Sequence, residues 1–126
     1  MIGVIDLIYI KEEGILLVKK QDVWILPGGK IESGETPISC LERELKEELK
    51  VKKASIGKFY KSFIGYTSHN EKEINVKTYF GWFDETLSPS GEISDAKFIV
   101  NFGGYYLSNL TSGIINSLQK DNLIRW

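Results

Sequence analysis

Runs of apolar residues separated by short turns occupy much of the chain and predict strands. Residues 2–11 form the first run, Glu12-Glu13-Gly14 indicates a hairpin turn, and the chain returns over residues 15–20. Later runs predict strands in four further segments: residues 23–26, 53–66, 73–83 and 96–100. The cleanest alternation, in residues 73–83, assigns five side chains to one face: Ile74, Val76, Thr78, Phe80 and Trp82.

Two segments follow a helical period instead. Thr36-Pro37 marks the start of a helix over residues 37–49, with Thr36 as the N-cap. The apolar stripe that we expect to face the core consists of Ile38, Leu41, Leu45 and Leu49. A second stripe predicts a closing helix with Thr111 as a candidate cap: Leu110, Ile114 and Leu118. Strands on both sides of a helix, followed by a closing helix, predict an α/β fold with a mixed sheet between helices, in one domain over residues 1–126.

Composition and charge narrow the class of function. The chain is 42% hydrophobic and 26% charged, which is typical of a globular protein. Its 16 basic and 17 acidic residues leave a net charge of −1, so we expect binding neither to nucleic acid nor to membranes. No apolar run is long enough to span a bilayer, and a signal peptide is not expected. Cys40 is the only cysteine, which excludes an internal disulfide and favours the cytoplasm, and we expect it to be buried and inert.

Six residues in the middle of the first half stand at fixed spacings: Gly29, Glu35, Arg43, Glu44, Glu47 and Glu48. At about 100° per residue, the last three glutamates fall within roughly 100° of one another on a helix. Like charges so placed repel, whereas a hard divalent cation such as Mg²⁺ or Mn²⁺ makes the arrangement favourable. The plain alternative is a glutamate-rich surface helix. That alternative explains neither the Leu-Pro-Gly-Gly stretch upstream nor the placing there of one of only two arginines.

This spacing resembles the Nudix box: Gly, five residues, Glu, seven residues, then Arg-Glu-aliphatic-any-Glu-Glu-any-Gly-aliphatic. Residues 29–51 match every constrained position but one. The exception is Lys50, where the family usually has a Gly that ends the helix in the left-handed conformation. We expect either that Lys50 adopts this conformation under strain or that the helix ends differently. The flanking Leu-Pro-Gly-Gly-Lys-Ile-Glu-Ser-Gly-Glu-Thr resembles the MutT-type branch. The resemblance implies the Nudix α/β/α sandwich, with a mixed, twisted sheet between helices.

The resemblance also implies roles for particular residues. The implied ligands of Mg²⁺ or Mn²⁺ are Glu44, Glu47, Glu48 and the backbone carbonyl of Gly28. The general base is assigned to Glu47 or Glu44 first and to Glu92 second. Glu92 is the expected acid from a late loop, with Asp95 as the lower-ranked alternative.

Further residues are expected to support the acids or to bind substrate. Arg43 is expected to orient a neighbouring carboxylate, and Glu35 to bridge the loop to Arg43 or to backbone N–H groups. The predicted phosphate contacts are Gly29 and Lys30 of the glycine loop and Lys19 on the returning strand. Candidates for recognising a base are Trp24, Tyr66, Tyr79, Phe80, Trp82, Asn75 and Asn109, most of them explained equally well by packing. His69 is expected to be an exposed loop residue.

The implied reaction is metal-dependent hydrolysis of a nucleoside diphosphate linked to another group. The leading hypothesis is a nucleoside triphosphate, modified or not, which yields the monophosphate and pyrophosphate. The alternatives are ADP-ribose, a nucleotide sugar or a dinucleoside polyphosphate, because specificity lies outside the box. A non-catalytic nucleotide-binding domain ranks lower, since all three box acids are present. The expected partner is a small nucleotide, and the protein is expected to be a monomer or a homodimer.

Overall fold

A computed structural model describes residues 1–66 and 72–126, which form eight strands and two helices. The segment containing His69 lies outside the described residues. The strands are β1 (Ile2–Ile8), β2 (Ile10–Lys11), β3 (Gly14–Lys20), β4 (Val23–Ile25), β5 (Gly28–Lys30), β6 (Ser55–Tyr66), β7 (Glu73–Trp82) and β8 (Ile93–Ile99). The helices are α1 (Pro37–Leu49) and α2 (Asn109–Lys120). Neither helix of the described part is long and apolar enough to cross a membrane.

The strands form two sheets, one of which is mixed. The first has the order β5-β1-β7-β6, in which β1 and β7 are parallel and the other neighbours antiparallel. In the second, β3 pairs with β8 from Ile15 to Lys20, and with β2 and β4 at its two ends, all antiparallel. Because β8 occupies one edge of β3, β2 and β4 share the other edge.

Two apolar cores lie on opposite faces of the strands, and each is covered by one helix. From β1 and β3, Leu7 and Leu16 pack with Leu41 and Leu45 of α1 in the first core. The neighbouring residues of the same strands point the opposite way, as side chains of a strand must, and they enter the second core with α2. These second-core residues are Ile8, Ile15 and Leu17. The predicted α/β/α arrangement is therefore confirmed.

Helix α1 has the predicted bounds, but its first turn faces solvent. Thr36 is the N-cap and forms a capping box with Ser39, whose N–H donates to the Thr36 hydroxyl at 3.1 Å. The prediction that Ile38 belongs to the core face is wrong: its exposed fraction is 47%, because it lies in this solvent-facing first turn. Cys40, which is fully buried, takes its place in the core, as was expected for the thiol.

Other boundaries also differ from the predictions. The strand expected over residues 2–11 is interrupted at Tyr9, and residues 28–30 form an unpredicted strand, β5. The cap of α2 is Ser108, not Thr111, because the Ser108 hydroxyl accepts the N–H of Thr111 at 3.1 Å. The face of β7 that carries Val76 and Thr78 is not buried along its whole length, since Trp82 is 55% exposed at the end of the strand.

The end of α1 resolves the question raised by Lys50. This residue has φ 56° and ψ 29°, so it adopts the left-handed conformation although it is not glycine. The N–H groups of Lys50 and Val51 donate to the carbonyl oxygens of Lys46 (3.1 Å) and Leu45 (3.2 Å). The helix therefore ends where a glycine would have ended it, at the cost of strain from the Cβ.

This strain predicts that Lys50→Gly stabilises the protein. Removing the Cβ should raise the free energy of unfolding by about 0.5–1 kcal/mol, after allowance for the greater freedom of glycine in the unfolded chain. Lys46→Gly, at an exposed position inside the same helix, is the control and should lower it by about 1 kcal/mol. Urea denaturation measures both changes. Equal destabilisation by the two substitutions would contradict strain at Lys50.

Candidate active site

The two glycines after Pro27 allow helix α1 to approach the backbone of β5 closely. Gly28 pairs with Asp6 and Gly29 with Ile5 in the antiparallel ladder between β5 and β1. Gly28 has a φ of +142°, and a Cβ there would collide with the Ile5 carbonyl oxygen and lie 2.6 Å from Asp6 Oδ1. A Cβ on Gly29 would lie 2.5–2.7 Å from the carboxyl group of Glu44. Both positions therefore require glycine so that carboxyl groups can reach the strand.

Arg43 ties the glycine loop to α1 through several acceptors. Its Nε and Nη2 donate to the two carboxylate oxygens of Glu35 at 2.7 and 3.0 Å, in a bidentate pair. Its Nη1 donates to Glu44 at 2.7 Å, and a longer contact of 3.5 Å reaches Glu47. Nη2 also donates to the carbonyl oxygen of Lys30 at 3.0 Å. One guanidinium thus fixes the loop, the strand and the helix relative to one another.

Glu35 has the environment of an anion held in place. Its carboxylate accepts both Arg43 bonds and also the backbone N–H of Glu32 at 2.8 Å. The Arg43 hydrogen bonds are the main reason that the pKa of Glu35 falls to about 2. Glu35 therefore remains ionised, and it links the loop both to Arg43 and to a backbone N–H group.

The three box glutamates differ in their surroundings. Glu48 accepts the backbone N–H of Gly28 at 3.2 Å, and burial raises its pKa to about 9. Burial also raises the pKa of Glu44, although the hydrogen bond from Arg43 opposes the shift. Glu47 is different, because 60% of its side chain is exposed. Glu44 and Glu48 thus flank the glycine pair, while Glu47 lies on the outer side, next to Arg43.

Asp6 is a fourth acid of this region that the sequence analysis missed. It lies in β1, is only 9% exposed, and has a pKa raised to about 8 by burial first and by the charge of Glu44 second. A signal was present in the sequence, since Asp6 is the single charged residue within the apolar run from Ile2 to Ile10. A buried carboxyl in such a run needs a reason, and the box pattern does not include it.

A cavity of about 440 Å³ is lined by Gly28 and Gly29 together with two chemically different sets of residues. The acidic and basic residues lining it are Asp6, Lys20, Lys30 and Glu48. The aromatic, amide and hydroxyl residues lining it are Tyr66, Tyr106, Ser108, Asn109 and Thr111. A larger hollow of about 720 Å³ has none of the acids described above in its lining, which consists of Gln119, Asn122, Ile124, Arg125 and Trp126. Chemistry rather than size therefore identifies the site.

The predicted phosphate-binding residues are only partly gathered at this cavity. Gly29 and Lys30 line it, whereas Lys19 is not among the lining residues. Lys20, which was not among the predicted residues, lines the cavity instead. Its positive charge partly opposes the rise that burial causes in the pKa of Glu44 and of Glu48. The two lysines are neighbours on β3, so their side chains point to opposite faces, and the sequence pattern does not say which face borders the site.

The two candidate late-loop acids lie in different places. Glu92 is 76% exposed and pairs with Lys20 through a contact of 3.0 Å. Its loop is attached to the end of α1, since the N–H of Ser90 donates to the Glu48 carbonyl oxygen at 2.8 Å. Asp95 instead accepts the N–H of Ala96 at 2.8 Å and contacts Lys97 at 3.7 Å. Only Glu92 therefore contacts a residue that lines the cavity.

Two of the candidates for base recognition, Tyr66 and Asn109, line this cavity. Tyr106, which was not predicted, joins them and is 73% exposed. The other candidates lie elsewhere. Trp24 and Phe80 belong to the α2 core and Tyr79 packs on the α1 core, while Trp82 and Asn75 line two other hollows. Packing in the cores therefore accounts for most of the predicted aromatic residues, which was the alternative to base recognition.

The donor set at the glycine pair fits a hard divalent cation. In residues 1–66 and 72–126, no three His, Cys, Asp or Glu side chains are gathered tightly enough to form a ready-made metal site. Mutual repulsion opposes such gathering, because the charges of Glu44 and Asp6 raise the pKa of Glu48. A cation with oxygen ligands would offset this repulsion and draw the carboxylates together.

Comparison with known proteins identifies the family. The model of the NUDIX domain matches residues 2–103. The chain belongs to the Nudix family. It is a Nudix hydrolase, a pyrophosphohydrolase that acts on nucleoside diphosphates linked to a further group. Members of the family generally need a divalent metal.

Individual relatives support this assignment. The 8-oxo-dGTP diphosphatase of Buchnera aphidicola subsp. Acyrthosiphon pisum (strain APS) is 27% identical over 109 residues, which cover 83% of this chain and 84% of that protein. The structure of the MutT protein from Methanosarcina mazei Go1 matches with a TM-score of 0.83 at 18% identity, and the match covers 96% of this chain and 94% of that chain. The E. coli ORF135 protein has a TM-score of 0.74 at 23% identity, with 96% and 92% covered. The two structures confirm the Nudix α/β/α sandwich.

The buried acids of this Nudix hydrolase predict that, without a divalent ion, its stability falls as the pH rises. Because the folded pKa of Glu48 is raised to about 9, the unfolded chain releases a proton that the folded chain retains. The contribution is fully present below about pH 4.5 and is lost as the pH rises through about 9, at up to ~1.4 kcal/mol per pH unit. Urea unfolding in EDTA at several pH values measures this slope.

Two variants check the assignment of the slope to Glu48. Glu48→Gln should flatten the pH dependence, because the amide does not titrate in this range. Glu42→Gln, at an exposed position on the same helix, should leave it unchanged. A Glu48→Gln profile parallel to that of the unsubstituted protein would show that another group controls the stability.

Proposed function

We propose that this enzyme hydrolyses a nucleoside triphosphate, including one with an oxidised purine, to the monophosphate and pyrophosphate. The observation that carries the proposal is a cavity whose lining combines the box acid Glu48, Asp6 and two lysines with tyrosines and an asparagine. Such a combination suits a ligand with an anionic part and a flat, polar aromatic part. The similarity to a protein named 8-oxo-dGTP diphosphatase supports this choice of substrate.

In this proposal, a single Mg²⁺ or Mn²⁺ site is formed at the glycine pair. Glu44, Glu47, Glu48 and the carbonyl of Gly28 would hold the ion. A bound divalent ion neutralises phosphate charge and lowers the pKa of a coordinated water. Glu44 and Glu48 are supported as ligands by their position beside Gly28 and Gly29, and Glu47 by its place on the same helix next to Arg43.

The remaining charged residues are assigned to substrate and to proton transfer. Lys20 and Lys30 line the cavity along with Asp6 and Glu48, so they are proposed to contact the phosphates, together with the backbone at Gly29. Lys19 stays a prediction. The general base is proposed to be Glu47 or Glu44, with Glu92 second. Arg43 is proposed as a positioning residue, because its bonds go to Glu35, Glu44 and the Lys30 carbonyl.

The aromatic and amide residues of the cavity lining are proposed to select the base. Tyr66 and Tyr106 offer ring faces for stacking, and Asn109 offers both a donor and an acceptor to the edge of a base. The single cysteine is buried and reduced, which is compatible with the proposed cytoplasmic location.

Substrate identity is tested with a panel of nucleotides and identification of the products. We expect a modified or ordinary nucleoside triphosphate to give the highest kcat/KM, with pyrophosphate rather than orthophosphate as the second product. The reaction should stop in excess EDTA and resume when Mg²⁺ or Mn²⁺ is restored. Faster hydrolysis of ADP-ribose, a nucleotide sugar or a dinucleoside polyphosphate would replace the proposed substrate while leaving the family chemistry in place.

Substitution of the box acids tests the site. Glu47→Gln and Glu48→Gln should each lower kcat by roughly 100-fold or more, because each removes a proposed ligand or base. Glu42→Gln removes the same charge from the exposed side of α1 and should keep nearly full activity. Circular dichroism and the unfolding midpoint show whether each variant is folded. Full activity in both of the first two variants would overturn the proposed site.

A further inference from the structure

Asp6 occupies an unusual position for a carboxyl group. It lies in β1 directly opposite Gly28 of β5, and nine-tenths of its surface is buried, with 9% exposed. Its side chain borders the cavity that begins at the glycine pair. Because Gly28 has no Cβ, Asp6 Oδ1 can lie against its backbone, 2.6 Å from where a Cβ would be.

No hydrogen bond or ion pair joins this carboxyl to any described residue, and its oxygen atoms are not fully enclosed, because Asn75 Oδ1 is the single fully buried side-chain polar atom without a partner in the described residues. A carboxylate that serves only the fold is normally satisfied by donors, as Glu35 is satisfied by Arg43 and the N–H of Glu32. Two lysines line the same cavity, but the Nζ atom of Lys20 pairs with Glu92. The protein therefore supplies no donor to the Asp6 carboxyl, which borders the cavity instead.

The neighbours of Asp6 are other acids and the backbone of Gly28. Glu48 reaches the same glycine from α1 and accepts its N–H at 3.2 Å. Carboxyl groups from a helix and from a strand thus approach Gly28 from two directions. Repulsion disfavours this arrangement in the protein alone, and a hard cation with oxygen ligands would offset it.

We infer that Asp6 is a further acid of the divalent-ion site, supplied by strand β1 opposite the glutamates that helix α1 supplies. The inference rests on the proposed function, because it assumes that the ion binds at Gly28. It extends the site beyond the residues of the box. It also gives a reason for a glycine at position 28, since any side chain there would separate the Asp6 carboxyl from that backbone.

Binding of Mn²⁺ without substrate tests the inference independently of activity. The free ion is followed by electron paramagnetic resonance during titration of the unsubstituted protein, Asp6→Asn, Glu48→Gln and Asp22→Asn. The last variant is a matched control: Asp22 is exposed, and its left-handed backbone (φ 65°) is one that asparagine tolerates. We expect Asp6→Asn to weaken Mn²⁺ binding by about tenfold or more and Asp22→Asn to leave it unchanged.

The outcomes separate this inference from the proposed ion site. If the unsubstituted protein binds no Mn²⁺, both are overturned. If Glu48→Gln weakens binding but Asp6→Asn binds as tightly as the unsubstituted protein, only the role of Asp6 is overturned. An equal weakening in Asp6→Asn and Asp22→Asn would show a general effect of charge and would also overturn it.

Thermal unfolding supplies a second measurement that a purely structural role would affect differently. In EDTA, Asp6→Asn should unfold at the same temperature as the unsubstituted protein or a higher one, because an unpaired buried acid has been removed. Added Mn²⁺ should then raise its unfolding midpoint less than that of the unsubstituted protein. A lower midpoint in EDTA together with an undiminished Mn²⁺ response would identify Asp6 as structural and overturn the inference.

Discussion

The site is dominated by the cost of holding carboxyl groups in a buried region around two glycines, to which the repulsion between them adds. Burial holds Glu48 and Asp6 in surroundings that favour their neutral forms, with pKa values of about 9 and 8. The guanidinium of Arg43 has the opposite effect on Glu44 and Glu35, because its hydrogen bonds favour their ionised forms. Ionisation of these buried acids is unfavourable in the protein alone, and a divalent cation would offset that cost, which suits this region to such an ion.

The fold brings these groups together because the strand β1 and the helix α1 meet at the short strand β5. Strand β1 pairs with β5 on one side and with β7 on the other, so its position is fixed by two ladders. Helix α1 packs its leucines on the core side of the same strands. The acids that border this packed face are therefore attached to rigid elements, and the bidentate Arg43–Glu35 pair holds the connecting loop.

The residues proposed for chemistry and for selectivity lie in different parts of the chain. The box supplies the acids and the backbone, whereas three further lining residues come from β6, from the segment before α2 and from its start: Tyr66, Tyr106 and Asn109. Relatives can therefore share the box and differ in substrate, because the two sets of residues lie on separate elements. The cavity is continuous, so a single ligand can contact both.

The sequence alone determined the parts of this structure that depend on local spacing. The bounds of α1, its cap at Thr36 and the roles suggested for the acids follow from a helical period and a motif that lie within about two dozen residues. The prediction for Ile38 was wrong, because its spacing fits the apolar stripe but its position lies in the solvent-facing first turn. Only the tertiary structure placed Asp6 against Gly28, put Lys20 rather than Lys19 at the cavity and added Tyr106. Those contacts join residues that are far apart along the chain. They depend on the register between strands, which cannot be read from the sequence of a single segment.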